Sequence, residues 1–454
     1  MAESKPQART ITVQALARVE GEGGLTIRMR DGRVERVELR IFEPPRFYEA
    51  LLRGRLAVET PDITARICGI CPVAYQMSAV HAVEKIFALT IPAELRALRR
   101  LMYCGEWIES HVLHIYMLHA PDFLGFESAI AMAQANADLA AVVRRALRLK
   151  KAGNSIVRLV GGREVHPINV RVGGFYRVPS RDEFRQLEEE LKWARDVALD
   201  GVRWSASLSF PAYENDYEFV ALRHSEEYPM NEGRVVSSRG MDIAQEEYAD
   251  HFEEYQVRHS NALHSRRRVP SDGSLVNDAS SDRPIAGSPY FVGPLARWNL
   301  CADKAPAIVR DAAASTGIAF PSRNPYLGIV VRSLEVLLAI EEALRIIASY
   351  APPDKPAVPF EPRAGAGQAI TEAPRGILYH RYVTDAAGTI QSATIIPPTS
   401  QNQRQMESDL ERIAPQLLTL SNERAAAQAE HLIRNYDPCI SCATHFLRLS
   451  VEGQ

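Results

Sequence analysis

The sequence predicts an α+β fold, predominantly helical, with a core of long helices, a small N-terminal β-sheet domain and short C-terminal strands. Three observations predict it. The segment from Thr10 to Ile41 alternates apolar and polar residues around "RDGR", where Asp31-Gly32 is a hairpin turn signal. After Pro61 the apolar spacing changes to that of amphipathic helices. Near the C-terminus, "RGILYHRYVTDAAGTIQSATIIPP" returns to strand-like composition around an Ala-Gly turn.

The elements follow in order. "PDITARICGICPVAYQMSAVHAVEKIFAL" reads as a loop leading into a helix, with two cysteines near its entrance. Long helices are expected over 94–119 and 127–150. Another opens at "VPSRDEF", where Ser180 and Glu183 have the spacing of a capping box. The stretch 202–325 is polar and loop-rich, with "SDGS", "NDASSDRP" and "GSPYFVGP" as turn signals. Helices resume at 327–350 and 401–435, separated by the Pro-rich "APPDKPAVPFEPRAG" and the strand-like piece. The expected organisation is a β-rich part (1–60), a helical core (61–200), a mixed insertion (201–325) and a helix-and-strand C-terminal part (326–454), interwoven as one large fold.

At 454 residues the chain buries an ample core unaided, so core size is not the problem its cysteines solve. Its 53 basic and 56 acidic residues are interspersed, which leaves no concentrated basic face for nucleic acid. The polar start "MAESKPQART" and the lack of an apolar run of spanning length point to a cytoplasmic protein without a membrane span. Six cysteines are too few for a disulfide scaffold. Neither a Gly-rich dinucleotide loop after a strand nor a Walker-type loop is present, so the chain itself is not expected to bind a dinucleotide.

Four of the six cysteines form two CxxC pairs, Cys68 with Cys71 in "RICGIC" and Cys439 with Cys442 in "DPCISC". Four converging thiolates make a soft site suited to zinc, an iron-sulfur cluster or another thiophilic metal. Chemistry alone favours zinc. Spacing argues otherwise, because structural zinc ribbons keep both pairs close in sequence, whereas most of this chain lies between them. Such a site resembles an active centre between the two ends of a large fold. Cys104 and Cys301 are isolated and read as small buried apolar residues.

In order and spacing, "ARVEGEGGL", "RICGIC", "HVLHIYMLHAPDF", "EVHPINVRVGG", "EAPRGILYH", "PPTSQN" and "DPCISCATH" resemble the large, catalytic subunit of nickel-iron hydrogenases. The likeness is greatest to the NAD(P)-linked and sulfhydrogenase branch. It implies that Cys68, Cys71, Cys439 and Cys442 hold nickel. Cys71 and Cys442 then bridge to an iron bearing cyanide and carbon monoxide. Glu20 is implied as the proton-transfer base beside Cys439, and Arg375 as the guanidinium over the open metal position. Pro374 is implied to pack around the diatomic ligands and Thr399 to hydrogen-bond one of them. Glu49, the carbonyl of Ile395 and His445 are implied to bind Mg2+. His111, His114 and His166 fall in family motifs but read as hydrogen-bonded buried histidines.

The implied reaction is reversible oxidation of H2, with a hydrogen-sensing subunit as the alternative. Implied partners are an iron-sulfur small subunit, flavin-bearing (FAD) diaphorase-type subunits that reduce NAD(P), metal-insertion proteins and a maturation endopeptidase acting near the Phe446–Gln454 tail. Two departures bear on the site. Tyr75 stands where many relatives carry a histidine, and Ser110 stands where a carboxylate is common.

Overall fold

A computed structural model describes residues 8–268, 275–276 and 285–444, with backbone alone at 275–276 and 285–286. The strands Ala8–Val13, Gly23–Arg30 and Arg33–Ile41 form an antiparallel sheet in sequence order. Asp31 and Gly32 join the last two with φ of 51° and 75°, the left-handed backbone a two-residue hairpin turn needs. Alternation along these strands sends Ile11, Leu25, Ile27, Val37 and Leu39 into the core.

Helices dominate the rest. Pro72–Phe87 begins with proline in its first turn, directly after Cys71. Ala93–Val112 runs on into a π-helical turn, Leu113–His119, and then into Ala120–Leu124. The expected 94–119 helix is therefore one rod whose end changes its winding. The 127–150 stretch proves to be two helices, Ala129–Ala135 and Ala137–Gly161. Asn136 divides them, and Ser128 and Asn136 cap the first and the second, each side chain accepting a backbone N–H of the first turn. The capping box at Ser180 forms, with Glu183 accepting the Ser180 N–H at 2.8 Å, and leads through a short 3-10 turn into Arg185–Ala206. Gly328–Ser349 matches expectation. The 401–435 stretch is instead two helices, Pro398–Leu417 and Asn422–Arg434, separated where Ser421 caps the second.

The Ala93–Val112 helix sits centrally, packed against Ala137–Gly161 and Gly328–Ser349. Its contact with the first is backbone on backbone. A Cβ on Gly153 would lie 2.6 Å from the Gly105 carbonyl oxygen and 2.9 Å from the Glu109 nitrogen, so only glycine permits this approach. Close to the C-terminus, Gly365–Ala373, Gly376–Thr384 and Ile390–Ile396 make a three-stranded antiparallel sheet whose first strand packs on the Pro72–Phe87 helix. That first strand was not expected, since "GAGQAITEA" lacks alternation. The 202–325 stretch is more ordered than its composition suggests. It contains a small sheet, Val220–Arg223, Arg234–Ser237 and Asp242–Ile243, and helices Pro294–Cys301 and Ala307–Ser315. Among the described residues, no helix is long and apolar enough to cross a membrane.

Gly153→Val should force the two central helices apart at a cost of roughly 1–3 kcal/mol. Thermal unfolding of the purified protein checks this, and an unshifted midpoint would contradict the close packing described.

Candidate metal centre

The two CxxC loops meet because both chain ends are brought to one place. Ile440 donates its N–H to the Glu20 carbonyl at 2.9 Å, and Glu20 and Cys439 form a parallel bridge. Gly21 allows the approach. It has φ of 85°, and a Cβ there would lie 2.7 Å from Ile440 Cβ and 2.9 Å from the Ser441 nitrogen. Arg46 clamps both loops from the side, donating to the carbonyls of Ile67 and Ser441.

Four sulfurs converge there. Cys68 Sγ lies 3.5 Å from Cys439 Sγ, Cys71 Sγ lies 3.8 Å from Cys442 Sγ, and Cys439 and Cys442 are 3.0 Å apart. All four lie within 4.8 Å of one another and are buried. Every cysteine is a free thiol, and these separations exceed the length of an S–S bond. Cys68 Sγ also accepts the N–H groups of Ile70 and Cys71, both at 3.3 Å. The thiols do not ionise alike. Hydrogen bonds from Cys439, Cys442 and Cys71 push Cys68 well below the usual thiol range, while the crowding of Cys442 and Cys68 against Cys439 pushes it well above. Four acids crowded in a dry site cannot all lose their protons without a cation among them.

The surroundings are built with equal specificity. Cys439 Sγ donates to Glu20 Oε2 at 3.0 Å, and the same oxygen accepts the Ser441 N–H at 3.1 Å. Thr399 Oγ1 accepts the Cys439 N–H at 3.0 Å. Arg375 is held by Asp437, through its Nε to the Asp437 carbonyl at 2.7 Å and Nη2 to Oδ1 at 3.0 Å, while Nη1 donates to Ser110 Oγ at 3.2 Å. Burial opposes the charge on Arg375, but Asp437 and the thiols outweigh it and raise its pKa well above the usual value. Pro374 and Tyr75 line the same enclosed cavity as Cys71, Arg375, Thr399 and Cys442.

Two of the three residues expected at the magnesium site are adjacent, since the Ile395 N–H donates to Glu49 Oε1 at 2.7 Å. His445 and the Phe446–Gln454 tail lie outside the described residues. The histidines expected to be buried partners behave variously. His166 Nδ1 pairs with the Ala65 carbonyl at 2.7 Å, His114 Nε2 with the Arg434 carbonyl at 2.7 Å, and His111 Nε2 lies 3.0 Å from Glu335. Sequence reading missed Asp437, although its place two residues before Cys439 was a signal. It also missed Glu106, buried beneath the first loop and accepting the N–H groups of Val73 and Ala74 at 2.6 and 3.0 Å.

Residues 46–146 match the family described as nickel-dependent hydrogenase. The chain is 32% identical to the sulfhydrogenase 1 alpha subunit of Pyrococcus furiosus, over 97% of this chain and 98% of that protein. The chain belongs to the nickel-dependent hydrogenase family. Within it, this is the catalytic large subunit. A more distant relative is the beta subunit of the NAD-reducing hydrogenase HoxS of Cupriavidus necator, 25% identical over 97% of this chain and 95% of that one. The fold agrees with the crystal structure of an NAD+-reducing [NiFe]-hydrogenase, at a TM-score of 0.82 and 24% identity, covering 97% of this chain and 100% of that one. A [NiFeSe]-hydrogenase of Dm. baculatum also matches, with a TM-score of 0.74, 20% identity and coverage of 97% and 100%.

The donor set fits the hydrogenase centre. Four soft sulfurs within 4.8 Å of one another suit a thiophilic nickel-containing group, and Arg375 supplies fixed positive charge beside them.

Cys68→Ser and Cys442→Ser should each abolish nickel retention in the purified subunit. Elemental analysis checks this, and a full nickel complement in either variant would remove that sulfur from the site.

Proposed function

We propose that this large subunit activates H2 at the four-cysteine centre and passes the electrons through an iron-sulfur partner to NAD(P), in the cytoplasm. The observation that carries the reading is the convergence of four thiols from opposite chain ends beside one carboxylate, Glu20 Oε2, at 3.0 Å from Cys439 Sγ. A structural zinc staple explains the sulfurs but gives that carboxylate no task.

Cys68, Cys71, Cys439 and Cys442 would hold the nickel, with Cys71 and Cys442 shared with an iron carrying cyanide and carbon monoxide. When bound, this centre supplies the redox-active Lewis acid at which dihydrogen is split. The chain's own residues then manage the proton. Cys439 Sγ hands it to Glu20 Oε2 across their existing hydrogen bond, a distance suited to direct transfer. The Ser441 N–H steadies the carboxylate that receives it. Arg375, fixed by Asp437 and Ser110, presents a permanent charge to the cavity and so favours negative charge developing there. Pro374 would wall the diatomic ligands, and the Thr399 hydroxyl, whose oxygen already accepts the Cys439 N–H, keeps its own hydrogen and would donate it to one of them. Glu49, Ile395 and His445 are assigned to Mg2+, a hard cation suited to oxygen donors.

Electrons need an outlet, and all four paired cysteines are committed. Val165, Ile168 and Tyr176 are 50, 52 and 59% exposed. This apolar strip is tied to the first cysteine loop by the bond from His166 to the Ala65 carbonyl. It supports an iron-sulfur subunit docking close to Cys68. The acceptor assignment rests on the relatives, one of them named as NAD-reducing.

Infrared spectroscopy of the assembled complex should show cyanide and carbon monoxide bands, and H2 should drive NAD(P)+ reduction. Zinc in place of nickel would sink the reading. Glu20→Gln should retain nickel yet lose about 10²-fold or more in turnover; an unaffected rate would free Glu20 from its assignment. Ile168→Glu should weaken co-purification of the small subunit, and undiminished recovery would move that interface elsewhere.

A further inference from the structure

Glu407, midway along the Pro398–Leu417 helix, is a fully buried carboxylate of the kind that burial tends to neutralise. It stays charged. Burial opposes the charge, but the rings of His264 and His259 outweigh it and hold the carboxyl below its usual range. Its two oxygens are served unequally. Oε1 accepts the Leu39 N–H at 2.9 Å and lies 2.8 Å from His259 Nε2. Oε2 has no hydrogen-bond partner among the described residues and faces His264 Nδ1 at 3.8 Å, a gap too long for a hydrogen bond. The three side chains are at most 3% exposed, so bulk solvent does not reach that oxygen.

The fold fixes these donors in place. Both histidines belong to one loop, which Gln256 Nε2 braces by donating to the carbonyls of Val257 and Ser260 at 3.3 and 3.1 Å. Gln403, on the same helix as Glu407, donates to the Leu263 carbonyl at 3.0 Å, and the Asn261 N–H reaches the Ile41 carbonyl at 2.7 Å. His264 then opens the strand His264–Arg267.

The spacing is that of ligands around an ion. One donor atom from each of His259, His264 and Glu407 lies within 4.8 Å of the other two. Ligand atoms on a tetrahedral zinc stand about 3.3 Å apart, and the gaps of 2.8 and 3.8 Å fall on either side of that value. The imidazole centroids are 5.6 Å apart with planes at 79°, close to the roughly 5 Å expected of two rings on one such ion.

We propose that His259, His264 and Glu407 bind a structural zinc ion, at a site separate from the four cysteines and from the residues assigned to Mg2+. Two imidazoles and a carboxylate are donors that suit zinc, with water in the fourth position. Binding exchanges a proton for the ion, since a ligating imidazole is neutral. The ion ties the histidine loop to the Pro398–Leu417 helix. Ala262 of that loop packs with Ile41, Ile440 and Ala443, so the tie also backs the second cysteine loop. This assignment does not rest on the reaction proposed above.

A metal-free ion pair is the competing use of these groups. A protonated His259 satisfies Oε1 but leaves Oε2 facing His264 at a distance that bonds neither. A similar trio, His119, Asp122 and His431, shows the contrast. There both Asp122 oxygens accept from Arg434, and one from Arg18 as well, which leaves none for an ion. Near Glu407, Arg404 turns instead to Glu411 at 3.4 Å.

The test takes the assembled complex, purified without a histidine tag, chelator or added metal, and combines elemental analysis with X-ray absorption at the zinc edge. One zinc per large subunit is expected, in a shell of nitrogen and oxygen at about 2.0–2.1 Å. Glu407→Gln preserves the shape of the side chain and should lower zinc content on the order of tenfold or more, as should His264→Asn. A zinc-free unaltered complex would overturn the site, and this decides the matter even where a variant fails to fold. Zinc undiminished by both substitutions would overturn it too. A shell of sulfur at about 2.3 Å would place the ion among the cysteines, overturning this site and counting against the H2-activating reading as well.

Discussion

The meeting of the two chain ends at the parallel bridge between Glu20 and Cys439 is the constraint on which the structure depends. It sets the carboxylate against the thiol and closes the second CxxC loop over the first. Several long-range contacts secure it. Arg9 donates to the carbonyls of Leu417, Leu418 and Leu420 where the Pro398–Leu417 helix ends. Arg434 reaches the Ala17 carbonyl at 2.8 Å while pairing with Asp122, which also holds Arg18. Each arginine ties the N-terminal segment to a helix carrying or facing the site.

Around this junction the interior is unusually ionic. Arg297 is fully buried, bonded to Glu335 and Glu372 and to the carbonyls of Ala373 and Pro374. Its guanidinium lies 4.4 Å from the ring of Trp107. Burial opposes charge on Glu335, but Arg297 and His111 hold its pKa down to about 2. For Glu372 burial prevails over the same arginine and lifts the pKa to about 7. Buried pairs of this kind contribute little net stability over apolar packing. Their value here is positional, since the two carbonyls Arg297 grips directly precede Arg375 and so fix where that guanidinium points.

Much of this was legible in the sequence, for identifiable reasons. The four paired cysteines stood out because CxxC spacing is rare and they exhaust most of the cysteine content. The Asp31-Gly32 hairpin and the Ser180 capping box carry local signals that tertiary packing reinforced. Other features had no local signature. The strand Gly365–Ala373 is rich in small residues and buried along most of its length, so no face alternates. The breaks at Asn136 and Ser421 were marked only by capping residues within otherwise periodic stretches. Nothing in "LHIYMLH" distinguishes a π turn from an α turn. Arg332 and Glu335 did leave a trace, as charges three residues apart in an apolar helix, but the partners that explain Glu335 come from distant parts of the chain.

The role proposed for Glu20 rests on the same junction. Its carboxylate accepts the Cys439 thiol at 3.0 Å and the Ser441 N–H at 3.1 Å through one oxygen, so the backbone of the second cysteine loop holds the acceptor against the sulfur. A bond already in place makes any proton transfer between them short and local. The bridge that closes the loop therefore also sets the geometry on which that proposed transfer depends.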